Sequence, residues 1–189
     1  MTQIEKGRLF AALHERDGAF IIPNPWDVGT ARLLAQLGFE ALATTSAGYS
    51  FSRGQRDNSI SRDEMMMHVA TMASATDLPV SADLENGFGD SPEMVAETIK
   101  LAVGAGLVGG SIEDMSRQPG RPIYEIGFAT ERVRAAAEVA RALGRPPLLG
   151  HGLLDRNKLQ QLLNHGHSLA LGSRPTRDAA DPDRSAAIA

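Results

Sequence analysis

Several absences narrow what this 189-residue chain can do. It has no cysteine, which excludes disulfides, thiolate metal sites and a cysteine nucleophile. Aromatic residues make up only 5% of the chain, so binding of bases or sugars on aromatic surfaces is not expected. The formal net charge is −4, and we therefore expect no nucleic-acid partner. No apolar run is long enough to span a membrane, and the first residues do not resemble a signal peptide. The sequence therefore predicts a cytoplasmic protein with no membrane partner.

The chain does contain a regular alternation of short apolar runs and helical patterns. The runs are bounded by turn residues and predict strands at residues 19–23, 41–45, 78–82, 107–112 and 146–149. Apolar residues at helical spacing fill the intervals, and the last helix is predicted over residues 130–143. This alternation is typical of a parallel sheet with right-handed crossovers, so we predict an α/β fold.

Capping residues support three of the predicted helices. Asp27 precedes the first of them, which is expected to end at Gly38. Ser61 and Glu64 have the spacing of a capping box, in which each side chain satisfies one exposed amide. Ser91 is followed by a proline, which is tolerated in the first turn of a helix. Residues 49–60, between the second predicted strand and the capping box, are predicted to form a long polar loop.

Polar side chains follow the predicted strands at their carboxyl ends. Asp83 and Glu85 come after the third strand, Glu113 after the fourth and Ser46 after the second. In an extended chain, Asp83 and Glu85 would leave from the same face because they are two residues apart. Sites of parallel α/β folds lie beyond the carboxyl ends of the strands, and a hard divalent cation prefers oxygen ligands. The sequence therefore predicts a metal site at this edge.

Four motifs then resemble one known family, the isocitrate lyase/phosphoenolpyruvate mutase superfamily, and within it a short bacterial branch. They are Asn24-Pro25-Trp26-Asp27, Thr44-Thr45-Ser46-Ala47-Gly48, Ala82-Asp83-Leu84-Glu85-Asn86-Gly87-Phe88-Gly89 and Ile112-Glu113-Asp114. The resemblance runs from about residue 20 to residue 146. It implies a (β/α)8 TIM-barrel fold, of which only the first five strands are apparent. It also implies a Mg2+-dependent enzyme, with Mn2+ as another possible ion, that binds a small α-oxo-carboxylate or its enolate.

The resemblance also implies roles for particular acids. Asp83 matches the principal metal ligand of the family, and Glu85 and Glu113 match acids that reach the ion mostly through water. Asp57 matches a catalytic acid near the metal. This arrangement is chemically reasonable, because Mg2+ keeps several of its waters and an ion next to a forming enolate stabilises its charge.

For the substrate, the resemblance implies contacts from the turn at Ser46, Ala47 and Gly48, whose amides and hydroxyl would bind the substrate carboxylate. The loops that mark the family's branches are missing, because neither Lys-x-Cys-Gly-His nor Lys-x-Asn-Ser occurs after Glu113. In the loop that replaces them, Arg121 and Tyr124 are the side chains available for carboxylate binding or proton transfer.

Three hypotheses about function stay open at this point. The first is an oxo-acid lyase or decarboxylase that stabilises a pyruvate-type enolate, and the second is a P–C bond phosphonomutase. The third is an inactive, incomplete family member, because the substrate-binding Ala-Arg-Thr/Ala-Asp/Glu motif expected in the fifth strand is absent. We accordingly expect residues 1–149 to be the N-terminal part of a barrel and residues 150–189 to be a divergent or frame-shifted tail. A full barrel would be expected to form a homo-oligomer.

Overall fold

A computed structural model describes residues 1–143 of the chain. Its central sheet has three parallel strands in the order β1 (Leu42–Ala43), β2 (Val80–Asp83) and β3 (Gly109–Ser111). Leu42 lies opposite Val80, and Ser81 lies opposite Gly109. The carboxyl ends of the three strands therefore meet at one edge, as the alternating pattern predicted.

Six helices accompany this sheet in the described part of the chain. They are α1 (Gln3–Glu15), α2 (Val28–Gln36), α3 (Ser46–Ser52), α4 (Arg62–Ala75), α5 (Pro92–Gly104) and α6 (Ile126–Ala142). Two short strands, β4 (Met115–Gln118) and β5 (Arg121–Ile123), form an antiparallel hairpin between β3 and α6. We refer to β4 and β5 with their turn as the hairpin. None of the helices within residues 1–143 is long and apolar enough to cross a membrane.

The predicted helix caps are confirmed. Asp27 accepts a hydrogen bond from the amide of Thr30 at 2.7 Å and caps α2. Ser61 and Glu64 form the expected capping box at the start of α4, and Ser91 caps α5 with Pro92 in its first turn. Because caps satisfy amides that have no partner within a helix, these residues fix where the helices begin.

One core lies between the sheet and the helices that follow its strands. It is built from aliphatic and methionine side chains, among them Leu42, Met65, Val80, Leu84 and Val95, each at most 2% exposed. The helices α5 and α6 pack against each other beside it. This packing holds the strand ends in place, because close-packed side chains resist displacement.

The first predicted strand does not form. Residues 19–23 are irregular, although the carbonyl of Pro23 accepts a hydrogen bond from the amide of Ala43 at 3.1 Å. Pro23 and Pro25 have no amide hydrogen to donate, and Ile21 is 72% exposed. A segment with these residues cannot continue a strand ladder, and the bond to Ala43 is its backbone hydrogen bond to β1 in the described part of the chain.

Other differences from the sequence predictions lie around the sheet. The helix α1 was not predicted, although Thr2 and Glu5 form a capping box ahead of it. The helix α3 occupies the start of the predicted polar loop, and α6 begins four residues before the predicted start at residue 130. The predicted fifth strand at residues 146–149 and the predicted tail at 150–189 lie outside the described residues.

Candidate functional site

Asp83 is the best-held acid at the strand ends. It is the last residue of β2, and its Oδ2 accepts hydrogen bonds from the amide and hydroxyl of Ser46 at 3.0 and 2.7 Å. Its Oδ1 accepts one from the amide of Glu85 at 3.0 Å. These three donors fix the carboxylate in one orientation between β1 and β2. Asp83 and Ser46, predicted from separate motifs, are therefore in direct contact.

Glu85 differs from the extended geometry expected for it. The strand β2 ends at Asp83, and Glu85 has a left-handed backbone with φ of 50°. Its side chain is buried, at 1% exposure. The two-residue alternation therefore stops before Glu85, although its backbone still serves the site, because its carbonyl accepts the amide of Glu113 at 2.7 Å.

Glu113 lies among other acids. Partial burial raises the pKa of its carboxyl, and the negative charges of Asp83, Asp57 and Asp114 raise it further. The residue as a whole stays exposed, so solvent screens part of this repulsion. Asp57 is thus close enough to act on the pKa of Glu113, although the two residues are 56 apart in the sequence. The structure thus brings Asp57, Asp83 and Glu113 near one another at the strand ends, and we call this group of acids the acid mouth.

This donor set fits a hard cation that keeps its water. Among residues 1–143, no three His, Cys, Asp or Glu side chains converge closely enough to ligate one ion by themselves. Mg2+ commonly binds through one or two carboxylates and retains several waters, so Asp83 with more distant acids is a suitable arrangement. A divalent cation would also relieve the repulsion that raises the pKa of Glu113.

Ser46, Ala47 and Gly48 form the first turn of α3 and not a loop. Both donors of Ser46 are used by Asp83, and the amide of Gly48 donates to the hydroxyl of Thr45 at 3.2 Å. Gly48 also lies against the indole of Trp26, where a Cβ atom would be 2.5 Å from Nε1. The turn lies beside Asp83, and the donors of Ser46 and Gly48 are bonded within the protein.

Arg117 is a residue of this site that the sequence analysis missed. It lies in β4, and its guanidinium forms an ion pair with the buried carboxylate of Glu85. It also donates to the side-chain oxygen of Asn58 at 3.3 Å. The neighbouring amide of Asn58 in turn donates to Asp57 at 2.8 Å. No sequence signal identified Arg117, because the contact depends on how the hairpin folds back over β2.

Tyr124 and Arg121 do not lie among Asp57, Asp83 and Glu113. The hydroxyl of Tyr124 donates to Asp90 at 2.5 Å and accepts from the side-chain amide of Asn86 at 3.4 Å. Burial and the bond to Asp90 raise the pKa of Tyr124. Arg121 is exposed and lies 3.6 Å from Glu125. The structure therefore brings Tyr124 to the loop that follows β2, whereas Arg121 faces solvent.

Arg132 of α6 holds the loop that follows β2 by hydrogen bonds to its backbone. It is 1% exposed and donates to the backbone carbonyls of Asn86, Gly89 and Asp90. Its guanidinium lies 4.2 Å from the ring centre of Tyr124. Sequence analysis placed this residue only within a helix. Its contacts explain why a left-handed, irregular loop after β2 can keep a defined shape.

A cavity of about 340 Å³ opens between the hairpin and the start of α6. Its walls include Asp90, Gln118, Arg121, Tyr124 and Phe128. Its lining in the described part of the chain includes none of Asp57, Asp83 or Glu113. The cavity is therefore a space separate from these acids, next to the loop after β2.

Comparison with known proteins adds a family to this geometry. The family model described as phosphoenolpyruvate phosphomutase matches residues 10–149. The 2-methylisocitrate lyase of Escherichia coli (strain K12) is 27% identical over 146 residues, which are 73% of this chain and 49% of that protein. The chain thus spans about half the length of this curated relative.

Two solved structures from Burkholderia cenocepacia J2315 are similar as well. A candidate lyase/mutase is 55% identical with a TM-score of 0.77, and the match covers 87% of this chain and 62% of the other. A candidate phosphonomutase is 36% identical with a TM-score of 0.72, and the match covers 78% of this chain and 58% of the other. The structural neighbours confirm the predicted α/β, TIM-barrel type of fold.

Proposed function

Because the chain belongs to the phosphoenolpyruvate phosphomutase family, we propose that it is a Mg2+-dependent lyase or decarboxylase of small α-oxo-acids. The observation that carries the proposal is the group of acids around Asp83, which is held by Ser46 at a strand end. The similarity to 2-methylisocitrate lyase supports a lyase reaction.

In this proposal Asp83 holds the ion directly, and Glu113 and Asp57 contact it through water. Mn2+ is an alternative ion, because it accepts the same oxygen ligands. The bound ion supplies electrophilic stabilisation of the oxygen on which negative charge develops when an oxo-acid forms its enolate. Glu85 was predicted as a further acid of this set, and its ion pair with Arg117 gives it different surroundings.

Other side chains and amides would bind the substrate and supply a proton. Ser46 offers an amide and a hydroxyl, both of which donate to Asp83. A substrate carboxylate at α3 would take over these hydrogen bonds from Asp83. Ala47 and Gly48 line the same turn. Tyr124 is the proposed proton donor, since a phenol carries its proton at neutral pH and burial raises the pKa of this one further. Arg121 would bind a substrate carboxylate once its ion pair with Glu125 is broken.

A phosphonomutase activity is the second candidate. It is favoured by the description of the matching family model and by the similarity to the candidate phosphonomutase. The two candidates differ in the bond that changes: a C–C bond for the lyase and a P–C bond for the mutase. The same acid mouth would serve both, because each reaction develops charge on an oxo-acid oxygen.

A substrate panel tests the proposal and separates it from this second candidate. The full chain would be incubated with Mg2+ and oxaloacetate, 2-methylmalate or phosphonopyruvate, and product formation followed by NMR. We expect pyruvate from one of the first two, and loss of at least about 100-fold of that rate in Asp83→Asn. Asp63→Asn, an exposed acid in the first turn of α4, is the matched control. Turnover of phosphonopyruvate alone would favour the mutase, and no turnover of any of the three compounds would contradict both.

A further inference from the structure

The buried carboxylate of Glu85 has an ion-pair partner, although neither of its oxygens makes a hydrogen bond within residues 1–143. It is 1% exposed, and within residues 1–143 its ion-pair partner is Arg117. Arg117 is about one third exposed and reaches inward from β4. A buried carboxylate is costly unless a cation compensates it, so this pair joins the hairpin to the loop after β2.

The backbone of the residues that meet at this pair is unusual. Asn58, Glu85 and Arg117 have φ values of 61°, 50° and 58°, in the left-handed region that favours glycine. Arg117 contacts both of the others. Strained residues persist only where their surroundings hold them, and they concentrate at functional sites. Three segments that are far apart in the sequence are therefore fixed against one another by a single guanidinium.

From this arrangement we infer that Glu85 is a positioning residue that anchors the hairpin through Arg117, and that its carboxylate does not serve the metal ion. The inference rests on the proposed function only where it concerns the metal. The backbone of Glu85 supports the acids, because its amide binds Asp83 and its carbonyl binds Glu113. Its side chain turns to the hairpin. Asp83, Glu113 and Asp57 are then the acids left for a cation.

Hydrogen exchange of the full chain tests the anchor without any metal. In Arg117→Met, the amides of residues 115–123 should exchange at least about tenfold faster than in the wild type. Arg121→Met is the matched control, because Arg121 lies on the same hairpin and is exposed, and its exchange should stay within about twofold of wild type. Arg117→Lys should restore part of the protection. Equal exchange in the Met variants at the two positions would overturn the inference.

The second part of the inference is that the carboxylate of Glu85 does not serve the metal ion. The affinity for Mn2+, measured by electron paramagnetic resonance of the free ion, tests it. In the variant Glu85→Gln combined with Arg117→Gln, the local net charge is unchanged, so a metal-directed role of Glu85 would show as weaker binding. We expect the dissociation constant to stay within about threefold of wild type, whereas loss of a water-mediated ligand costs about 10–100-fold. A loss of that size in the double variant would overturn the inference.

The two measurements keep this inference separate from the proposed function. If the wild-type chain binds no Mn2+, the proposed function fails, and hydrogen exchange alone decides whether Arg117 anchors the hairpin to Glu85. If the wild type binds Mn2+ and Asp83→Asn does not, the proposed metal site stands whatever the double variant shows. Glu85→Gln alone should also speed exchange of the hairpin, and the double variant should be no faster than either single variant. Additive effects would contradict the pairing.

Discussion

At the scale of single residues, Gly48 is placed where a side chain does not fit. An added Cβ would be 2.5 Å from Nε1 of Trp26 and 2.6 Å from Cγ2 of Thr45. Thr45 caps α3 and Trp26 lies just before the cap of α2, so moving them would shift the start of α3. The glycine is required by this close approach, since its φ is not in the left-handed region.

Gly48→Ala should therefore lower the free energy of unfolding by about 1–3 kcal/mol, because overpacking forces neighbouring groups to move. Gly104→Ala is the control, since nothing lies within 4 Å of a Cβ at the end of α5 and an alanine there favours the helix. Urea unfolding would measure both. A neutral Gly48→Ala, or equal losses in the two variants, would contradict this account of Gly48.

His68 is a buried imidazole that stacks on Tyr49. The ring centres are 3.7 Å apart with an angle of 12° between the planes, and Nε2 has no hydrogen-bond partner within residues 1–143. Burial lowers the pKa of His68 to about 4, although the charge of Asp27 opposes the shift. The neutral ring thus packs α4 against α3, next to the candidate site.

This shift makes stability depend on pH. Between pH 6.5 and about 4, the unfolded chain binds a proton at His68 that the folded chain does not, so stability falls as pH falls through this window. We expect a loss of about 2 kcal/mol between pH 7 and pH 5 from this residue. His68→Phe, which keeps a ring against Tyr49, should flatten that dependence in urea unfolding. An equally steep profile in the variant would rule out His68 as its cause.

At the scale of elements, α1 closes the end of the sheet opposite the site. The ammonium of Lys6 donates to the carbonyls of Ala73 and Thr76 at 3.1 and 2.6 Å, at the end of α4. The side-chain amide of Gln3 donates to the carbonyl of Val103 at 2.8 Å, at the end of α5. Through these bonds α1 satisfies carbonyls that have no partner within their own helices.

Lys6→Met should lower the free energy of unfolding by about 1–3 kcal/mol, because it leaves buried carbonyls without a donor. Arg8→Met is the matched control, since Arg8 is an exposed cation on the same helix, and its loss should stay within about 0.5 kcal/mol. Thermal unfolding monitored by circular dichroism would compare them. Equal destabilisation would mean that the bonds from Lys6 contribute nothing specific.

The elements also show what could be predicted from the sequence. The strands β1, β2 and β3 and the helices α2, α4 and α5 follow from apolar spacing and caps, so they were found. The helix α1 has the same signal in Thr2 and Glu5 and could have been found. The helix α3 could not, because its glycine and serines favour a loop and tertiary contacts hold it.

The site divides in the same way. Asp83, Glu113 and Ser46 were predicted as neighbours because strand ends of a parallel sheet meet, and the structure brings them together. The surroundings of Glu85 could not be predicted, because the chain leaves the extended state after Asp83. The contact from Arg117 was equally hidden, since it depends on the fold of the hairpin over distant residues.

At the scale of the whole molecule, the chain carries a net charge of −4, and the acids of the site concentrate part of its negative charge in one place. A divalent ion that binds only the folded chain should therefore stabilise it. With free Mg2+ or Mn2+ at about 100 times the dissociation constant, the expected gain is about 2.7 kcal/mol. Adding oxalate should raise the melting temperature further.

Differential scanning fluorimetry would measure this gain against Asp83→Asn, with KCl at matched ionic strength as the control. Stabilisation of the wild type but not of the variant is expected, since Asp83 is the proposed direct ligand. Equal shifts in both proteins would assign the effect to general screening of charge. No shift in the wild type would contradict the proposed metal site.

The chain's single tryptophan, Trp26, has a spectroscopic consequence. Its indole is half exposed and lies against Gly48 in the first turn of α3, two residues after Ser46. Every photon emitted under excitation at 295 nm therefore originates beside the proposed binding site. Titration with oxalate in the presence of Mn2+ should shift or quench this emission, so occupancy can be followed without a label. An unchanged spectrum at saturating ligand would place the ligand elsewhere.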